Sequence, residues 1–203
     1  MGDSKSPSGK SGSRSGCVPG WVTFAIGFLS VWPALLAGVW LQSWFDLDPR
    51  SVEAVMVFAA LPEELIKFAA ALGMSLWFGA SAAVVGLGFG MSETIFLVSA
   101  SPWPIRLLTS IPLHAGTTAL ACVLVKARRK AVCESGGAPV RSMLRLQVVV
   151  PGTVFLFGSA VVLHWVYNIA ARQNGVWDWF LAWLPLVLWA LLRGLVEHHS
   201  DEA

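Results

Sequence analysis

Seven polar residues stand out because each is set in an apolar stretch: Glu63, Glu64 and Lys67, then Glu93, then His114, and finally His164 with Asn168. By residue type alone, carboxylates and imidazoles in such surroundings point to two chemistries. Glu and His are zinc ligands, and three of them with a water make an open catalytic site. Chains of carboxylate and imidazole also relay protons through membranes. The segment Pro62-Glu63-Glu64-Leu65-Ile66-Lys67 places three charges in the middle of a run from Val52 to Phe78 that is otherwise Ala, Val, Leu, Phe and Met. A charge at bilayer depth costs about 2.5–3.5 kcal/mol even on lenient insertion scales, so such a group faces a bundle interior or a wet cavity. Function is therefore expected around Glu63 and Glu64.

The spacing adds geometry. Residues three or four apart share a helix face, so Lys67 reaches Glu63 or Glu64, and His164 stands beside Asn168. Gly86, Gly90 and Glu93 form one stripe, and small residues let membrane helices approach closely. Counted from the outer helix ends, Glu93 is eight residues from Ser101, His114 nine from Ile105, His164 eight from Arg172 and Glu63 twelve from Ser51. At 1.5 Å per residue these positions lie roughly 12–18 Å deep. Four segments thus present ionisable groups at one depth, and a shared cavity with neighbours within roughly 4–8 Å is the expectation. Pro62 and Pro112 each remove a backbone hydrogen bond just before these groups.

The elements that position them follow from composition. Hydrophobic residues are 56% of the 203, charged residues 13%, and the mean hydropathy is +0.67; soluble domains carry about twice that charged share. The chain is expected to be an all-α, polytopic bundle of about six transmembrane helices around a buried polar site. The spans read as about Trp21 to Trp44, Val52 to Phe78, Ala82 to Ala100, Ile105 to Val125, Leu146 to Ala171 and Trp177 to Val196. A turn at Gly79-Ala80-Ser81 separates the second from the third, and Pro102-Trp103-Pro104 precedes the fourth. Residues 1–18 are expected to be a disordered tail, 19–197 a single membrane domain with its core motifs in 50–171, and 198–203 a polar tail. Cys17, Cys122 and Cys133 have no metal or redox spacing and read as free thiols.

The stretch 126–145 carries Lys126, Arg128, Arg129, Lys130, Arg141 and Arg145 against Glu134, and the N-terminal tail carries Lys5, Lys10 and Arg14. The positive-inside rule predicts a multi-pass protein of the cell membrane with both termini and the 126–145 loop in the cytoplasm. The lipid bilayer is the implied partner. The basic loop reads as a topology signal, and no nucleic-acid partner is expected.

Glu63-Glu64-x-x-Lys67, Gly88-Phe89-x-x-x-Glu93, His114 with Thr118, and His164-x-x-x-Asn168 together resemble the motif set of the PrsW membrane proteases. That family is distantly similar to the CAAX prenyl endopeptidases and Abi membrane proteins. Glu93 stands where the prenyl endopeptidases have His, and Asn168 where PrsW relatives often have Asp. The resemblance covers about residues 50 to 170. It implies an intramembrane endopeptidase acting on a membrane protein or peptide, with a glutamate-activated water and no cofactor. On that reading Glu63 is the base, although the sequence does not separate it from Glu64. His164 and Asn168 donate to the oxyanion, Glu93 and His114 orient water or protonate the leaving amine, and Lys67 and Phe89 support the site.

Other readings stay open on the residues themselves. Glu64 with Lys67 reads equally well as a structural ion pair. Zinc held by Glu and His gives a metal-dependent membrane protease, although no HExxH is present. A transporter or proton relay would use the same residue types, although no internal repeat is visible. A non-catalytic immunity protein is the remaining alternative.

Overall fold

The computed structural model describes residues 18–48, 51–96, 103–134, 146–172 and 177–201. They form α1 (Gly20–Leu29), α2 (Val31–Trp44), α3 (Val52–Val55), α4 (Leu61–Phe78), α5 (Ala82–Phe96), α6 (Trp103–Glu134), α7 (Leu146–Ala171) and α8 (Trp177–Asp201), with a π-helical turn, Met56–Ala60, joining α3 to α4. The protein is an all-α membrane bundle with a buried polar cluster. Gly20–Trp44, Pro104–Cys133, Leu146–Ala171 and Trp177–His198 are long and apolar enough to cross a bilayer. Length and composition carry the expected count of six no further than these four. Ala82–Phe96 is short, and the Val52–Phe78 rod is interrupted by the π turn.

Several boundaries differ from the sequence expectation for local reasons. The first rod has a joint at Ser30, whose N–H is shared between the Ile26 and Gly27 carbonyls and whose hydroxyl donates to Gly27 O at 2.7 Å. Lys126, Arg128, Arg129 and Lys130, expected in a loop, continue α6 to Glu134. Lys, Arg and Ala are good helix formers. Likewise α8 runs on to Asp201. Arg141, Arg145, the N-terminal tail through Cys17 and the end of the expected third span lie outside the described residues.

The expected turn between α4 and α5 is tight. Gly79 takes φ 69°, and the Ala80 N–H reaches back to Met74 O at 3.2 Å, a left-handed cap that glycine adopts without strain. Arg129 of α6 donates to the Ser75 carbonyl there, so the ends of α4 and α6 meet. The surface is apolar, with Trp21, Leu36, Trp77, Phe155 and Trp177 all exposed, while Ser92, Thr109, Ser110, Thr117 and Thr118 are buried. Polar inside and apolar outside is the arrangement lipid imposes.

Glycines set the spacing at the site. A Cβ on Gly86 of α5 would run into the His114 carbonyl and come within 2.7 Å of Ala115 Cα, and one on Gly90 would lie 3.2 Å from the His114 ring. At Gly86 only hydrogen fits, and at Gly90 a side chain would have to push its neighbours back, so the two let α5 lie close on α6.

Candidate active site

Four helices contribute to one buried polar cluster. Glu63, Glu64 and Lys67 come from the first turns of α4, directly after the π turn; Glu93 comes from α5, His114 from α6 and His164 from α7. π-helical turns within helices frequently occur at functional sites. Nothing in the hydropathy pattern foretold this one.

Glu64 is the hub. Its Oε1 accepts from Lys67 Nζ at 2.5 Å, from the Thr117 hydroxyl at 3.0 Å and from His164 Nδ1 at 2.8 Å. Lys67 Nζ also donates to His114 Nδ1 at 2.6 Å and lies 5.0 Å from the Phe89 ring centre, a favourable place for a cation. His114 Nε2 is 2.8 Å from Glu93 Oε2, which also accepts from the Ser110 hydroxyl. These partners assign both tautomers. His114 receives a proton at Nδ1 and gives one from Nε2. His164 gives a proton to Glu64 from Nδ1, which turns its Nε2 toward Glu63. The two rings stand edge to face with centres 4.9 Å apart.

Glu63 differs. Its Oε2 is buried without a hydrogen-bond partner and faces His164 Nε2 at 3.5 Å. At that separation the carboxylate oxygen and the imidazole nitrogen face each other beyond ordinary hydrogen-bond length. Access differs as well: the Glu63 and Glu93 side chains keep 12% and 17% of their surface, against 2% for Glu64, 1% for each His and 0% for Lys67. The cluster is dry at its back and wettable along Glu63 and Glu93. Glu63, His114 and His164 also offer atoms lying within 4.8 Å of one another, a span that a metal ion bridges.

Of the residues singled out in the sequence, Glu63, Glu64, Lys67, Glu93, His114 and His164 meet here, with Phe89 packed against His114 at 5.0 Å between ring centres. Asn168 is one turn from His164, half-buried, and makes no hydrogen bond among the described residues. Thr118, paired with His114 in the motif, bonds only the His114 carbonyl, at 2.7 Å. Its neighbour Thr117 is the residue that touches the cluster. Ser110 and Thr117 were missed, though they lie four before and three after His114 on the same face. Trp165 ties α7 to the start of α3, donating from Nε1 to Val52 O at 2.9 Å.

Compared with protein families, with characterised proteins and with solved structures, the chain matches none.

Proposed function

We propose that this protein is an intramembrane endopeptidase of the PrsW-like kind, hydrolysing a peptide bond of a membrane-associated substrate with a water activated by Glu63. The observation that carries the reading is Glu63 itself: its Oε2 is a buried carboxylate oxygen with no hydrogen-bond partner, 3.5 Å from His164 Nε2, on a side chain that keeps 12% of its surface. A water reaching Glu63 along its exposed edge would donate a proton to the carboxylate and turn its lone pair outward to a carbonyl carbon. Glu63 takes the proton as the oxygen attacks, and the same proton is then available to the departing amine. A base so placed is worth about 10²–10⁴ in rate. Asn168, with its amide unengaged one turn away, supplies a donor to the oxyanion. Glu64 and Lys67 hold the His164 and His114 rings in their tautomers.

A zinc-dependent reading is favoured by one observation, the convergence of Glu63, His114 and His164. Both nitrogens of His114 are already engaged, by Lys67 and by Glu93. An ion held there would displace one of them, which makes the metal-free water the better reading. The test is cleavage of single-span model substrates by the purified protein in liposomes. Glu63→Gln keeps size and removes the base, and activity is expected to fall about 10²-fold or more. A strong zinc chelator is expected to leave the parent active. Loss on chelation with recovery on added zinc would establish the metal reading, and undiminished cleavage by Glu63→Gln would refute the base.

A further inference from the structure

An apolar groove of about 650 Å³ lies between α4, α6 and α7, away from the chemistry above. Leu65, Phe68 and Leu76 wall it on one side and Val150, Val154 and Phe157 on the other. Leu65, Leu76, Val150 and Val154 are exposed, so the groove opens sideways, toward lipid. Arg128 and Arg129 line it where α6 nears its end, and Thr153 of α7 lies along it.

Arg129 is committed to the Ser75 carbonyl. Arg128 differs: its Nη1 is buried and has no hydrogen-bond partner, and the same is true of Thr153 Oγ1 on a residue only 8% exposed. Thr94, Thr109 and Thr118 each donate to the carbonyl four residues back in their own helix, the usual resort of a helical threonine. Thr153 does not. Two orphaned donors on one lipid-facing apolar groove are costly in a medium that offers no water. They are satisfied together by an amphiphile whose acceptors sit at the head of an apolar tail.

We propose that this groove binds an anionic phospholipid: the phosphate on Arg128, a glycerol ester carbonyl accepting from Thr153, and one acyl chain along α4 and α7. The guanidinium fork matches phosphate geometry, and basic pockets between membrane helices take anionic headgroups. From Leu146 to Phe157 α7 rises about 16 Å, close to half the ~30 Å hydrocarbon thickness and so to the depth of one leaflet. Lys126 and Lys130, two residues to either side of Arg128 on α6, are exposed and line a different cavity. A zwitterionic headgroup brings its own cation up to the Arg128 guanidinium and is disfavoured.

Native mass spectrometry of the full chain, with phosphatidylglycerol and phosphatidylcholine added in parallel, tests this without any readout of proteolysis. One phosphatidylglycerol is expected to be retained about tenfold or more in preference. Arg128→Gln, Thr153→Val and Val154→Trp should each lower retention, the last by filling the groove without altering charge. Lys126→Gln should leave the bound lipid in place. If Arg128→Gln does not fold, the isosteric Thr153→Val and the plugging Val154→Trp decide. The proposal is overturned by equal retention of phosphatidylcholine, by full retention in both Thr153→Val and Val154→Trp, or by glycerophosphoglycerol competing as well as the intact lipid.

Discussion

Although adjacent on α4, Glu63 and Glu64 receive different donors, and that difference assigns them different work. Glu64 Oε1 accepts three hydrogen bonds, one from a lysine with no exposed surface. Removing one member of a buried pair strands the other charge, at a cost of about 3–5 kcal/mol. Glu64→Gln is therefore expected to unfold at markedly lower temperature in detergent, and Glu63→Gln, which loses no hydrogen bond at Oε2, to melt close to the parent. Equal melting of the two would mean that the hub is not Glu64. Asn168→Ala breaks no bond among the described residues, so it should leave melting unchanged. If Asn168 meets the oxyanion, the same substitution should slow cleavage by up to about 3–4 kcal/mol of barrier. Unchanged cleavage by Asn168→Ala would remove it from the mechanism. The sequence offered the pair but not the choice, since Lys67 at i+3 and i+4 reaches either carboxylate. What separates them is tertiary: Thr117 and His164 both approach Glu64. Thr117 and Ser110 were illegible for a related reason, because hydroxyl residues are frequent in membrane helices and only the face they share with His114 marks them.

At the scale of helices, the site depends on α5 lying against α6 with no side chain between them. Gly86→Ala is expected to push the helices apart at His114 and draw Glu93 off its ring, lowering both melting temperature and activity. Gly158 and Gly194 are the contrast, since a Cβ at either meets nothing within 4 Å. Gly158→Ala and Gly194→Ala should be neutral, or stabilising by up to about 1 kcal/mol through helix propensity. If Gly86→Ala melts like these two, the close approach is not what holds Glu93. The stripe Gly86, Gly90, Glu93 was readable because its period is that of a helix, and the rods from Val52 to Phe78 and from Leu146 to Ala171 have the bounds their apolar runs give. The π turn was not readable: Met56–Ala60 is ordinary helix-forming sequence, and its widened winding arises where the chain adjusts ahead of Pro62. The extension of α6 was not readable from hydropathy either. Basic residues end an apolar run without ending a helix.

For the whole molecule, charge decides direction. The ends of α4, α6 and α8 gather around one cavity lined by Gly79, Lys126, Arg129 and Arg193, and Val18, just before α1, packs against the core cluster that contains Met74, Ala80, Ala82 and Cys122. The start of α1 and the end of α8 therefore share a face of the bundle with the basic turns of α6. Lys and Arg near helix ends are retained on the cytoplasmic side, so we expect that face to be cytoplasmic. Glu93 and Glu63, nearer the opposite ends of their rods, would then receive water from outside. Single cysteines placed at Lys130 and at Asp48, in a chain cleared of its own cysteines, test this with a membrane-impermeant maleimide on intact cells. The Asp48 position is expected to label and the Lys130 position only after the membrane is opened. Labelling of the Lys130 position in sealed cells would invert the molecule, move the proposed phospholipid to the outer leaflet and turn the wettable edge of the cluster toward the cytoplasm.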